Sequence, residues 1–306
     1  MHVLDTTSTE RGGASRLWRA SHTLAVFVVA GCSISLPEPT SPAQRNAPEE
    51  VLSRAEAGLT SSAEELPDNL VPSDREIGDP TAVVGMTVRL YAGEKPQLPS
   101  SPNHAVEYEP YSLRTIVITS TPGAEVEPWE LEYALESDDA IDADHEAIRA
   151  VSRSVTRSAR SDSEKVRRLV RWVFSNMMYQ VSNMPRASDV LAVKTGDCTE
   201  YTQLFLALAR AANIPARRVI GLVYTEYRGR PAFGYHAWAE VAIDGRWVPV
   251  DPTWNEVVAD ATHIKLSEGW SDRWVAGVGQ IDIEILDVVR RTGWLAGSPL
   301  GDPAVN

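Results

Sequence analysis

A cysteine in the body of the chain stands at the predicted start of a helix. It is Cys198 in "GDCTEYTQLFLALARAANIP", where apolar residues recur on one helical face. Asp197, with Glu200 three residues later, predicts a capping box, so Cys198 becomes the first helical residue. The unpaired N–H groups and partial positive charge of a helix N-terminus stabilise a thiolate. The segment therefore predicts a reactive nucleophile or, alternatively, an ordinary cysteine beside a cap.

A histidine and an aspartate lie in a predicted hairpin, "GYHAWAEVAIDGRWVPVDPTW". The Asp-Gly pair at 244–245 is a strong signal for a two-residue turn. Counting back from this turn places His236 and Asp251 on one face as diagonal neighbours, with Cα atoms about 7–8 Å apart. A bulge would reverse this parity. Pro252 ends the ladder, which is expected to leave the carboxylate at an exposed strand end.

Cys198, His236 and Asp251 together have the residue types of a thiol acyl-transfer site. Asp251 would orient His236 and stabilise its imidazolium. His236 would take the thiol proton and later give it to the leaving group. The backbone N–H of Cys198 would help to hold the oxyanion.

Three segments in this order resemble the transglutaminase-like superfamily: "GDCTEYTQLFLALARAANIPARRVIGLVY", "GYHAWAEV" and "WVPVDPTW". The resemblance covers roughly residues 140–290 and includes "DATHIKL". It implies a papain-like α+β fold in which a helix bearing Cys packs on an antiparallel sheet bearing His and Asp. The functional positions that match are Cys198 as nucleophile, His236 as base and Asp251 as the orienting group. Some members use an upstream aromatic or Gln side chain as a second oxyanion donor, which makes Tyr179 a candidate.

The resemblance also implies the chemistry, which is cysteine-dependent acyl transfer from amide or peptide bonds through a Cys198 thioester. Water as acceptor gives a peptidase or amidase, and an amine gives a protein-glutamine transglutaminase. Hydrolysis is favoured because many bacterial relatives are regarded as hydrolases. The expected partner is a peptide or protein substrate, with no cofactor. The alternative is a catalytically inactive peptide-binding or scaffold module of the cell envelope.

The remaining patterns divide the chain. Alternating segments rich in Val, Ile and Thr, "TAVVGMTVRLYAG" and "SLRTIVITS", predict strands of a small β-rich region. "SDSEKVRRLVRWVFSNMMY" predicts a helix capped by Ser161. The expected organisation is a signal at 1–31, a disordered tether at 32–79, the β-rich region at 80–136, a catalytic domain at 137–297 and a tail at 298–306.

The N-terminus predicts export. Arg11, Arg16 and Arg19 precede the apolar run "LAVFVVA", as in a secretory signal. "VAGC" resembles the lipobox of bacterial lipoproteins, which implies cleavage before Cys32 and lipidation there. The alternatives are an ordinary cleaved signal, an uncleaved apolar N-terminus, or a disulfide between Cys32 and Cys198. The expected location is the periplasmic face of a membrane, and Ser33, in place of an aspartate, favours the outer membrane.

Composition excludes other classes. The formal net charge of −13 argues against nucleic-acid binding, which needs a basic face. No two Cys or His residues have a metal-ligand spacing, and no Gly-rich phosphate loop occurs, so no metal is expected. The other aromatic and histidine residues receive structural interpretations: packing for Trp238, Trp247 and Trp254, a structural hydrogen bond for His263, and surface positions for His104 and His145.

Overall fold

The computed structural model describes residues 66–67, 69–92, 97–109, 113–269 and 281–291. The expected signal, Cys32, most of the tether and the tail lie outside these residues. Within them the protein is mixed α+β, as expected, with antiparallel sheets and five α-helices. No helix in this described part is long and apolar enough to cross a membrane.

The central sheet holds the predicted hairpin. Its strands are β1 (Leu70–Pro72), β7 (Ala216–Tyr227), β8 (Arg230–Ile243), β9 (Arg246–Val250) and β10 (His263–Glu268). The order is β1-β8-β7-β10, and β9 also pairs with β8. Asp244 and Gly245 both have positive φ, 51° and 77°, as a type I′ turn requires.

The helices are α1 (Pro128–Tyr133), α2 (Glu146–Thr156), α3 (Asp162–Asn176), α4 (Ala187–Val193) and α5 (Cys198–Ala211). Ser161 caps α3 as predicted, since its hydroxyl accepts a 3.2 Å hydrogen bond from the N–H of Glu164. Helix α5 is central, and twelve of its residues are buried. Phe205 belongs to a core shared by helices α2 to α5 and by the β8–β9 hairpin, where it joins Val241 and Val248. This packing sets the N-terminus of α5 against the sheet.

The second sheet contains three strands of the predicted β-rich region and one additional strand, whereas α1, which also lies within 80–136, is helical. Its strands are β2 (Val83–Ala92), β3 (His104–Tyr108), β4 (Leu113–Thr119) and β11 (Ile281–Arg290), in the order β11-β2-β4-β3. Strand β11 comes from the segment assigned to the catalytic domain. Its inward residues, such as Ile285, join the core that also contains Leu222 and Phe233 of the central sheet. The two sheets therefore share a hydrophobic core.

The end of the expected tether differs from the prediction. Strand β1 pairs with β8, and Val71 and Ile77 are only 2% and 3% exposed. Residues 69–79 thus belong to the folded body. The physical reason is distance along the chain, because Val71 pairs with Phe233 and no local pattern indicates such a partner.

Candidate active site

The nucleophile candidate stands where the helical pattern predicts it. Cys198 is the first residue of α5 and is 2% exposed. The Asp197 side chain accepts from the N–H of Thr199 at 2.8 Å, and the Asp197 N–H donates to Glu200 at 2.9 Å. The predicted capping box is confirmed. These bonds satisfy some of the N–H groups at the helix start and hold Cys198 at its positive end.

The predicted hairpin register is also confirmed. Ala239 pairs with Val250, which continues the ladder from the turn without a bulge. His236 Nε2 and Asp251 Oδ2 are consequently 2.8 Å apart. The prediction that the Asp251 carboxylate is exposed is wrong, because Asp251 is fully buried. The chain turns back after β9, and Asp251 and Glu256 exchange backbone hydrogen bonds of 2.8 Å that cover the strand end.

The electrostatics favour a protonated His236. Burial alone would lower the pKa of His236, but the Asp251 carboxylate and the interaction with Cys198 raise it to about 9. Burial would raise the pKa of Asp251, yet His236 and His263 hold it well below its usual range. Because Nε2 of His236 is engaged by Asp251, Nδ1 is the nitrogen available to the thiol. A protonated His236 beside a helix N-terminus stabilises a Cys198 thiolate.

A narrow pocket opens onto these residues. The indole of Trp254 stacks on the imidazole of His236 at a centroid distance of 4.6 Å. Trp238 lies nearly parallel to the same ring at 6.2 Å. Trp238 and Trp247 are buried in packing, as expected, whereas Trp254 is half-buried and lines the pocket. The lining comprises Tyr179, Cys198, Val223, Thr225, Tyr235, His236, Thr253 and Trp254.

Tyr179 reaches this pocket through a short parallel pairing. Strand β5 (Met178–Tyr179) pairs with β6 (Thr195–Gly196), which leads directly into Cys198. The ring of Tyr179 lies 6.3 Å from that of Tyr201. Its position beside Cys198 agrees with the oxyanion role, which stays a prediction.

Two histidines differ in detail from their sequence interpretations. His263 is hydrogen-bonded, as expected, but one of its partners is Asp251 of the candidate site. His104 was expected at the surface, which is wrong, because it is 2% exposed. Its Nε2 accepts from the N–H of Lys265 at 2.9 Å and its Nδ1 donates to the carbonyl of Pro99 at 3.0 Å. Burial and the Lys265 charge lower the pKa of His104 to about 4, which suits this neutral ring.

Folding also brings together groups that the spacing along the chain does not reveal. Side-chain atoms of His236, Asp251 and His263 lie within 4.8 Å of one another, as do those of Glu256, Asp260 and His263. Such atoms resemble a cation site in type and spacing. The atoms of the first group hydrogen bond to one another. His263 also contacts Asp260, so we interpret the two groups as one hydrogen-bonded network joined through His263.

Comparison with known proteins places the domain. The model of the transglutaminase-like superfamily matches residues 149–252. The chain is 29% identical over 127 residues to the mouse kyphoscoliosis peptidase and 27% identical over 127 residues to the human protein. Each match covers 36% of this chain but only 18% of the relative, so the chain spans about a fifth of their length.

Two solved structures are similar at low identity. A candidate cysteine protease from Cytophaga hutchinsonii is 16% identical, with a TM-score of 0.44, over 70% of this chain and 91% of that chain. The periplasmic domain of TgpA from Pseudomonas aeruginosa is 14% identical, with a TM-score of 0.42, over 62% of this chain and 89% of that one. On the match to the family model at 149–252, the chain carries a domain of the transglutaminase-like superfamily.

Proposed function

We propose that this protein is a thiol enzyme that transfers acyl groups from amide or peptide bonds. One observation carries the proposal. Cys198 begins a capped helix beside His236, and His236 donates a 2.8 Å hydrogen bond to the buried Asp251. The proposed nucleophile, its base and the group that orients the base are thus neighbours in that order in space, as covalent catalysis requires.

The reaction would run in two steps. The Cys198 thiolate attacks the amide carbonyl carbon, and the oxyanion accepts hydrogen bonds from the backbone N–H of Cys198 and from the hydroxyl of Tyr179. When the C–N bond breaks, His236 gives its proton to the leaving amine and a thioester remains. In the second step water or an amine attacks the thioester, His236 takes the proton of the nucleophile, and the thiolate leaves. Asp251 stabilises the imidazolium throughout.

Hydrolysis is the favoured outcome. The relatives matched over part of this chain are named peptidases, and water needs no separate acceptor site. The proposed substrate is a peptide or protein. With an amine in place of water the same residues would perform transamidation.

A second candidate is a peptide-binding or scaffold module without catalysis. The burial of the site favours it, since Cys198 and His236 are only 2% and 5% exposed. A substrate carbonyl would have to enter a narrow pocket to reach the sulfur. In such a module Cys198 would behave as an ordinary thiol, with a pKa near the reference of about 8.5.

The decisive experiment is the pH dependence of iodoacetamide alkylation at Cys198. The full chain with Cys32→Ser leaves Cys198 as the only thiol. We expect alkylation well below pH 8, and a shift to higher pH when His236→Ala is added, because the thiolate loses its cation. An alkylation curve near pH 8.5 that is indifferent to His236 would end the enzyme proposal and leave the binding module.

We further propose export and lipid anchoring at Cys32, with the protein on the periplasmic face and the outer membrane as the favoured membrane. The basic and apolar N-terminal pattern and "VAGC" support this. Metabolic labelling with a fatty acid tests it. We expect the label in the membrane-bound protein and its loss in Cys32→Ser. An unlabelled wild-type protein would contradict the anchor.

A further inference from the structure

Two histidines share the carboxylate of Asp251. His236 Nε2 lies 2.8 Å and His263 Nε2 3.5 Å from the same oxygen, Oδ2. The other oxygen, Oδ1, accepts a 2.7 Å hydrogen bond from the N–H of Thr253. Both oxygens of Asp251 therefore face hydrogen-bond donors. One of these donors is His263, which has no role in the proposed reaction.

The second nitrogen of His263 also faces acceptors. Its Nδ1 lies 3.2 Å from both the backbone oxygen and Oδ1 of Asp260. A neutral imidazole has one N–H and can donate at only one of its nitrogens, whereas an imidazolium donates at both. Because acceptors stand at both ends of the ring, the geometry selects the charged form of His263.

The surroundings stabilise this charge. Trp238 and Trp254 lie edge-to-face with the His263 ring at 5.0 Å and 5.8 Å, and His263 is 4% exposed. Burial alone would lower the pKa of His263, but Asp251 and Asp260, together with Glu256, raise it well above its usual value. Asp251 and Asp260 are themselves 0% and 7% exposed, so they lie next to the cation with little screening by water.

The other charged groups nearby do not replace this cation. His104, Glu240 and Lys265 share a small cavity with His263. The Lys265 ammonium forms an ion pair with Glu240 at 2.5 Å, so the Glu240 carboxylate balances its charge. His104 accepts from a backbone N–H and is neutral. Within the part of the chain that the structure describes, His236 is the other imidazole that faces His263, with 5.9 Å between the ring centroids.

We propose that His263 is a positioning residue of the thiol site: as an imidazolium held between Asp251 and Asp260, it fixes the Asp251 carboxylate toward His236 and weakens its hold on the His236 proton. The positioning role rests on the proposed function, whereas the charge of His263 does not. The consequence is chemical. His236 must release its proton to a leaving amine, and a buried carboxylate with no second cation would hold that proton too tightly.

The first test observes the ring directly. The full chain with Cys32→Ser is labelled with ¹⁵N-histidine, and ring nitrogens are recorded by NMR at pH 7.5. The signals absent from His263→Gln identify His263. We expect both of its ring nitrogens to be protonated. A neutral ring, with one unprotonated nitrogen, overturns the proposal, and this measurement needs only the wild-type fold around His263.

The second test separates charge from hydrogen bonding. His263→Gln retains an amide donor near Asp251 but removes the charge. We expect the pKa of His236 to rise above its value of about 9 by roughly one unit, seen in its NMR titration and in the alkaline limb of Cys198 alkylation. The control His145→Gln changes an exposed histidine that precedes α2 as its N-cap, and it should leave both curves in place. An unchanged His236 titration in His263→Gln overturns the positioning role.

The two proposals fail in different ways. If wild-type Cys198 alkylates as an ordinary thiol, the proposed enzyme is wrong, and the ring state of His263 still decides its charge. If Cys198 is activated but His263 is neutral, the enzyme proposal stands and this inference is overturned.

Discussion

The indole of Trp254 lies almost parallel to the imidazole of His236, with 13° between the planes and 4.6 Å between the centroids. One face of the proposed base is therefore covered by a half-buried aromatic side chain that also lines the pocket. The stack excludes water from the bond between His236 and Asp251, and a charged imidazolium gains further from the aromatic face.

Removing this cover should change the titration of His236. In Trp254→Ala, water would screen the Asp251 carboxylate, so the pKa of His236 should fall from about 9 toward its ordinary value near 6.5. The alkaline limb of Cys198 alkylation should move to lower pH by about one unit, while Trp254→Phe retains most of the stack and should move it less. Equal curves for the Ala and Phe variants would show that the indole does not protect the pair.

Asp251→Asn should disable the site while leaving its shape. The amide cannot stabilise the imidazolium, so the pKa of His236 falls and less of its imidazolium is present at pH 7 to stabilise the thiolate. We expect Cys198 alkylation at pH 7 to slow at least ~10-fold and turnover of any substrate to fall by about 10²- to 10⁴-fold. Asp282→Asn changes an exposed position on β11 and is the control, which should leave both the alkylation rate and the turnover unchanged. Full alkylation in Asp251→Asn would remove Asp251 from the site.

Gly196→Ala should disturb the start of α5. A Cβ at Gly196 would come within 2.3 Å of Cβ of Glu200, so either β6 or the first turn of α5 would have to shift. We expect a loss of about 1–3 kcal/mol in the free energy of unfolding, measured by urea denaturation, together with slower Cys198 alkylation. The neighbouring Thr195→Ala should change stability by much less. If Gly196→Ala has the same free energy of unfolding as the wild type, the start of α5 can shift to accommodate the added Cβ at little cost.

Glu200 should make stability depend on pH near neutrality. Burial and the nearby Asp197 raise the pKa of Glu200 to about 7 from an ordinary 4.5. The folded state thus binds a proton more tightly than the unfolded state between these values. The associated stability is present below pH 4.5 and is lost as pH rises through 7, with a slope of at most about 1.4 kcal/mol per pH unit.

The variant Glu200→Gln removes this ionisation and keeps one acceptor oxygen in place of the two that accept from the N–H groups of Asp197 and Met184. Its stability should be lower at every pH for that reason, so the comparison rests on the change with pH. Compared with wild type, its free energy of unfolding should fall less between pH 5 and pH 7.5, measured by urea denaturation at each pH. Parallel curves for the two proteins would show that Glu200 has the same pKa in the folded and unfolded states.

Local patterns predicted the parts of the site that depend on neighbours in the chain. The capping box at Asp197 and Glu200 and the apolar face of α5 are visible within one helix, and both are confirmed. The turn at 244–245 sets the register of β8 against β9, so the bond between His236 and Asp251 follows from counting residues. These features need no knowledge of the rest of the fold.

The errors fall where distant segments meet. His104 appeared to be a surface residue because its partner, the N–H of Lys265, is 161 residues away. Strand β1 appeared to be tether because its pairing partner lies in β8. The exposed end expected for Asp251 is buried by the turn that follows it and by residues around His263.

The sequence by itself determined the helix start at Cys198, the turn at 244–245 and the pairing of His236 with Asp251, because short-range hydrogen bonds and side-chain periodicity govern these features. Only the tertiary structure decided that Asp251 is buried and shared with His263. Burial of a side chain and contacts between charged groups depend on which segments pack against each other. Packing between sheets and turns that are distant in the chain leaves no local periodic pattern in the sequence.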